Sequence, residues 1–197
     1  MADIVYKKKN KVIGCHGTYP AHIDSIKADN FVESPDSTGW LGGGVYFFVE
    51  GIGSESPHEY AIYWATDEVN QKGKKSAGHK EVVALAAEIS INDNKFLDLT
   101  IEPGLKLFNQ FRDRVIGIIE GSGNYSKKDY KDVDVLNVMK EELGIEIVKA
   151  EVYIRFGIQR KVEMFSRVPN VTIFAVNNPK HNINKYSIKE VLRRKIS

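Results

Sequence analysis

The stretch Trp40-Leu41-Gly42-Gly43-Gly44-Val45-Tyr46-Phe47-Phe48-Val49 sets a glycine cluster directly in front of a β-branched and aromatic run. Glycine frees the backbone for tight turns, and Val45 to Val49 has the composition of a short buried strand, so this loop precedes a strand. A dinucleotide fingerprint requires the reverse: a glycine turn that follows a strand and opens a helix, at whose N-terminus the pyrophosphate rests. The order of elements therefore excludes a Rossmann turn. No Gly-Lys-Ser/Thr end marks a P-loop either.

Upstream, the charged run Lys7-Lys8-Lys9-Asn10-Lys11 feeds Val12-Ile13-Gly14-Cys15, which reads as a short buried strand ending at His16. Pro20 suits the first turn of a helix carrying Ile23 and Ile26 on one face, and Asn30 fits its left-handed stop. Downstream, Ser56-Pro57-His58-Glu59 reads as a capping box ahead of a helix from about Pro57 to Asn70. Gln71 to Gly78 is loop-like, and Glu81 to Ile91 is a strand.

Leu105, Phe108, Phe111, Val115, Ile118 and Ile119 step by helical spacing, as do Val133, Leu136, Met139 and Leu143, which Gly144 ends. Ile145 to Phe156 and Val171 to Val176 read as strands, and the basic end Arg193-Arg194-Lys195 as a solvated helix face. Helices and strands alternate without βαβ spacing. The fold class is α+β (mixed α/β), in a single domain over residues 1–197.

The charge balance, 28 basic against 26 acidic residues, imposes no nucleic-acid or membrane partner on the whole chain. One cysteine, Cys15, allows no intrachain disulfide, and the histidines His22, His58, His79 and His181 show no ligand spacing, so no metal is expected. The longest apolar run, Val82 to Ala87, is far short of a membrane span, and the N-terminus lacks signal-peptide order. The expected location is cytoplasmic.

His16-Gly17-Thr18 at a strand end, followed by Gly44-Val45-Tyr46-Phe47, resembles the histidine/tyrosine branch of the ADP-ribosyltransferases. Poly(ADP-ribose) polymerases and bacterial toxin-type transferases share that branch. Ala61-x-x-Trp64-Ala65 extends the likeness, as do Phe96-Leu97-Asp98-Leu99 and Asp134-Val135-Leu136-Asn137 more weakly. The resemblance implies a split mixed/antiparallel β-sheet core flanked by helices, with NAD as co-substrate. It also implies mono-ADP-ribosyl transfer to a macromolecule with release of nicotinamide; hydrolysis of NAD, or inactive NAD binding, is the alternative.

By that resemblance His16 holds a ribose hydroxyl, Gly17 grips the carboxamide beside Thr18, and Gly44 lets the chain turn close to the donor. Tyr46 stacks on the nicotinamide, with Tyr60 as the second aromatic face and Ser56 adding a hydroxyl contact. Aligning Val171 to Val176 on the family's third motif puts Val171 or Asn170 where polymerases carry glutamate, which disfavours chain formation. Glu163 is the nearest acid and the catalytic candidate; substrate-assisted transfer and loss of activity stay open beside it. Trp64 reads as structural.

The acceptor is a nucleic acid or a protein. Lys7, Lys8, Lys9 and Lys11 with Lys72, Lys74 and Lys75 offer a phosphate-tracking face, though such runs are commonly solvated loops. Small relatives of this kind act as toxins of toxin–antitoxin, phage-defence or effector type, which implies an antitoxin or inhibitor protein as a further partner.

Overall fold

A computed structural model describes residues 10–35, 39–71, 80–122 and 130–196. The first strand, β1 (Asn10–Thr18), passes through His16 to Thr18, because β3 (Glu81–Ile91) pairs with it from Asn10–Ile91 to Thr18–Val83. Backbone pairing, which local composition does not encode, sets its length. A 3-10 turn (Pro20–His22) leads into α1 (Ile23–Asp29). Asn30 ends the helix at φ 74°, and its buried amide donates to the carbonyls of Pro179 and Ile183, both at 3.1 Å.

Then follow β2 (Val45–Val49), α2 (Pro57–Gln71), β3, β4 (Phe96–Asp98), α3 (Glu102–Ser122) and α4 (Asp132–Leu143). β5 (Ile147–Val152), α5 (Gly157–Lys161), β6 (Val171–Val176), α6 (Pro179–Asn182) and β7 (Ile183–Lys195) complete the described chain. The architecture is α+β: one seven-stranded mixed sheet in the order β4-β5-β6-β2-β1-β3-β7, antiparallel except for β4 beside β5. Alternation along the strands gives the sheet two buried faces. Cys15, Phe48 and Ile173 pack with α2, α3 and α4 on one; Phe47, Leu85 and Phe174 pack with Ile23 of α1 and Phe31 on the other.

The seam with the fewest register pairs lies in the middle of the sheet. β1 is in register with β3 over nine pairs and β2 with β6 over five, but among the described residues β1 and β2 share one register pair, Cys15–Phe48. Beyond it the two strands part.

Three expectations change. The basic C-terminus is the edge strand β7, paired with β3, in place of a helix face. Its periodicity was masked because it buries only scattered positions such as Ile183 and Ile188, while its lysines and arginines blunt an open edge. Leu105 and Ile118 of α3 and Leu143 of α4 are exposed; α3 buries Phe108 and Phe111. At α2 the Ser56 hydroxyl meets His58 Nε2 at 2.9 Å and the Glu59 carboxylate pairs with Arg194, so neither side chain closes the capping box. No described helix is long and apolar enough to cross a membrane.

Candidate functional site

A cavity of 530 Å³ opens where β1 and β2 separate, within the size range of small-molecule sites. β1 supplies His16, Gly17 and Thr18 to its lining, while β2 and its approach supply Gly44, Tyr46 and Phe48. Trp64 and Glu68 come from α2, and Ile173 from β6. The lining is mostly aromatic and aliphatic with a few polar groups.

His16 and Tyr46 both line it because it lies where the two strands part. Cys15 and Phe48 share one face of the sheet, with Tyr46 packed against the same cluster, while His16 packs on Phe31 and Phe47 of the other, so the two side chains start on opposite faces. The imidazole packs edge-on to Phe31 at 5.1 Å and against Phe47 at 5.8 Å. Its Nδ1 lies 2.9 Å from the Tyr46 carbonyl oxygen. A carbonyl only accepts, so Nδ1 carries the hydrogen. Burial lowers the imidazole pKa below its ordinary value, partly offset by that carbonyl and by the Glu68 carboxylate. The ring is thus neutral at pH 7, and Nε2 presents a lone pair that accepts a hydrogen bond from a hydroxyl donor.

The Tyr46 hydroxyl accepts from the Leu41 amide at 2.8 Å and donates to the Gly42 carbonyl at 2.7 Å. Burial pushes this phenol up to about 12, so it stays protonated and keeps the donation. Its single proton is committed to the glycine loop, which leaves the ring, and no hydroxyl proton, for a ligand. Gly39 and Gly42 turn at φ 78° and 81°, and a side chain at Gly39 would collide with the Tyr46 hydroxyl. Ser34 exchanges backbone hydrogen bonds with Gly44, and Lys140 of α4 donates to the Gly43 carbonyl at 3.0 Å. The loop is therefore held from three sides.

Gly17 has a packing reason of its own. A Cβ there would overlap the Ala61 carbonyl oxygen and lie 3.1 Å from the Ala65 methyl, so α2 rests directly on β1. Ala61 and Ala65 are the small residues that permit this approach. Thr18 is buried, its hydroxyl 3.3 Å from His22 Nδ1.

His16, Gly17, Thr18, Gly44 and Tyr46 are thus brought together; Tyr60, Ser56 and Glu163 are not. Tyr60, Trp64 and Glu68 recur every four residues along one stripe of α2, and the cavity takes the second and third of them. Tyr60, a turn earlier, stacks on Phe156 at 5.5 Å, its hydroxyl accepting from the Glu55 amide. Trp64, expected to be structural, is the aromatic that α2 gives the cavity, edge-to-face with Trp40 at 5.7 Å. Ser56 sits at the head of α2, bonded to His58.

None of the three candidates for the third position lines the cavity. Glu163 is exposed at the exit of α5 with φ 54°. Asn170 both donates to and accepts from the Ile154 backbone at 2.9 Å, and Val171 is fully buried core. The residue that β6 turns toward the cavity is Ile173. No group able to hold a metal ion occurs among the described residues. Of the lysines offered for an acceptor, Lys11 is paired with Glu88 at 2.7 Å; Lys7, Lys8, Lys9, Lys72, Lys74 and Lys75 lie outside the described residues, as does His79.

The sequence matches no family model, and no curated protein matches it.

Proposed function

We propose that the cavity binds NAD and that the protein is a mono-ADP-ribosyltransferase, moving ADP-ribose to a nucleic-acid or protein acceptor and releasing nicotinamide. One observation carries this reading: His16 and Tyr46, thirty residues apart, line one cavity and are joined by the Nδ1–carbonyl hydrogen bond. A neutral imidazole with an accepting Nε2 suits a ribose hydroxyl. The Tyr46 ring and the Trp40–Trp64 pair suit a flat pyridinium, through stacking and cation–π attraction.

The bond to be broken joins ribose to a cationic nitrogen, already a good leaving group. Orientation in a dry cleft is therefore the main demand on the protein. By the resemblance, Val171 or Asn170 stands where a polymerase carries glutamate, which favours transfer of one ADP-ribose unit over chain growth. The family assignment, the cytoplasmic site of action and an antitoxin-type partner belong to the same proposal.

The test is isothermal calorimetry with NAD, followed by incubation of the protein and labelled NAD with cell extract. Heat of association and label on a macromolecule are expected, and nuclease or protease then identifies the acceptor. Free ADP-ribose with no labelled macromolecule would make the protein a glycohydrolase. Absence of heat would end the NAD reading.

A further inference from the structure

Among the described residues lining the cavity, Glu68 is the one acid. Its position follows from the packing of α2. Ala61 and Ala65 lie four apart on the stripe that rests on Gly17, and Glu68, three residues on, continues that stripe past the end of β1. The same residue is four beyond Trp64, on the stripe that faces the cavity. Two small residues set against a strand glycine thus carry a carboxylate to the cavity beside Tyr19, His22 and His16. Burial raises the Tyr19 pKa and the Glu68 charge adds to that rise; at His16, where burial lowers the pKa, the same charge opposes the lowering.

We propose that Glu68 is the catalytic carboxylate of the cavity, supplied by helix α2 and not by the third strand. The assignment rests on the reading of the cavity as an NAD site. In the step it serves, the C1′–N1 bond of NAD breaks and its electron pair goes to the pyridinium nitrogen, releasing neutral nicotinamide. The ribose left behind carries oxocarbenium charge, which the Glu68 carboxylate stabilises across the cavity. A lone pair of the acceptor forms the new bond to C1′, and Glu68 takes the acceptor's proton and passes it to water. The sum is NAD plus acceptor giving ADP-ribosyl acceptor, nicotinamide and a proton.

The experiment compares the parent with Glu68→Gln and Glu68→Asp, reading NAD affinity by calorimetry and nicotinamide release from labelled NAD on the same preparations. The amide preserves shape and removes charge, so NAD binding is expected within about threefold of the parent while release falls roughly 10²- to 10³-fold, the scale of losing one transition-state electrostatic contact. Glu68→Asp, which keeps the charge on a shorter arm, is expected between the two. Retained NAD binding shows that the variants fold. Release by Glu68→Gln at the parent rate overturns the assignment, as does loss of binding and release in equal proportion, which would make Glu68 a binding group only. A parent that gives no heat with NAD overturns the reading of the cavity itself, and a parent that binds NAD without releasing nicotinamide overturns the catalytic role alone.

Discussion

The imidazole of His16 donates from Nδ1 to the carbonyl oxygen of Tyr46 across 2.9 Å, supplying that carbonyl with a partner where β1 and β2 part. A side chain thereby closes a gap in the sheet that a neighbouring strand would otherwise fill. The bond fixes the tautomer of the ring and the position of the Tyr46 backbone together.

This arrangement makes stability depend on pH in a defined window. Because burial lowers the His16 pKa in the folded state, the unfolded chain takes up its proton first as pH falls through about 6.5. Stability is therefore lost as pH falls from about 6.5 toward the lower folded value; the carboxylates Asp98, Glu146 and Glu190, whose pKa values are also lowered, add their own loss at more acid pH, as the unfolded chain protonates. Urea unfolding at pH 7 and pH 5 is expected to show a smaller difference for His16→Gln than for the parent. Equal differences would remove the linkage.

Tyr46 separates into hydroxyl and ring. Tyr46→Phe deletes the partner of both the Leu41 amide and the Gly42 carbonyl, and is expected to cost about 1 to 3 kcal/mol of stability. It keeps the aromatic face, so NAD binding should survive in Tyr46→Phe and disappear in Tyr46→Ala. Calorimetry on both variants makes the comparison; equal loss in the two would assign the residue to loop support alone.

Two glycine substitutions should move stability in opposite directions. Gly17→Ala drives a methyl into the Ala61 carbonyl and lifts α2 from β1, costing on the order of 1 to 3 kcal/mol or more by overpacking. Gly117, exposed within α3, has nothing within 4 Å of a built Cβ, and Gly117→Ala should gain about 0.4 to 1 kcal/mol. Thermal melting of both variants reads the signs.

Cys15 should be inert in the native protein. Burial pushes its thiol up to about 11, with the Glu50 charge adding to the effect, so little thiolate exists at pH 8. Reaction with an aromatic disulfide reagent at that pH is expected to be much slower than in denaturant. Rapid native labelling would show that the β1 face around Cys15 opens readily.

The local elements were legible wherever one residue class repeats at one period or a punctuating residue stands alone. Val45–Val49 and Val82–Ala87 are continuous apolar runs, Val171–Val176 is apolar but for Thr172, and Asn30 and Gly144 occupy positive φ at helix ends. β7 was not legible, since thirteen residues with few buried positions carry no alternation, and only the long pairing with β3 makes them a strand. Gly17, Thr18 and Gly44 gather with His16 and Tyr46 around one cavity. Tyr60 and Glu163 fall elsewhere, because residue type near a motif says nothing of which helical turn reaches a cavity or how a loop between strands is directed.

Residue order alone determined the α+β class and most strand and helix positions. Those follow from backbone preference and apolar periodicity, which act over a few residues. Only the tertiary structure decided that β1 and β2 part after Cys15–Phe48, that Trp64 replaces Tyr60 at the cavity, and that Glu68 is its acid. The last two depend on how closely α2 approaches β1. That distance is set by Gly17 against Ala61 and Ala65, residues more than forty positions apart.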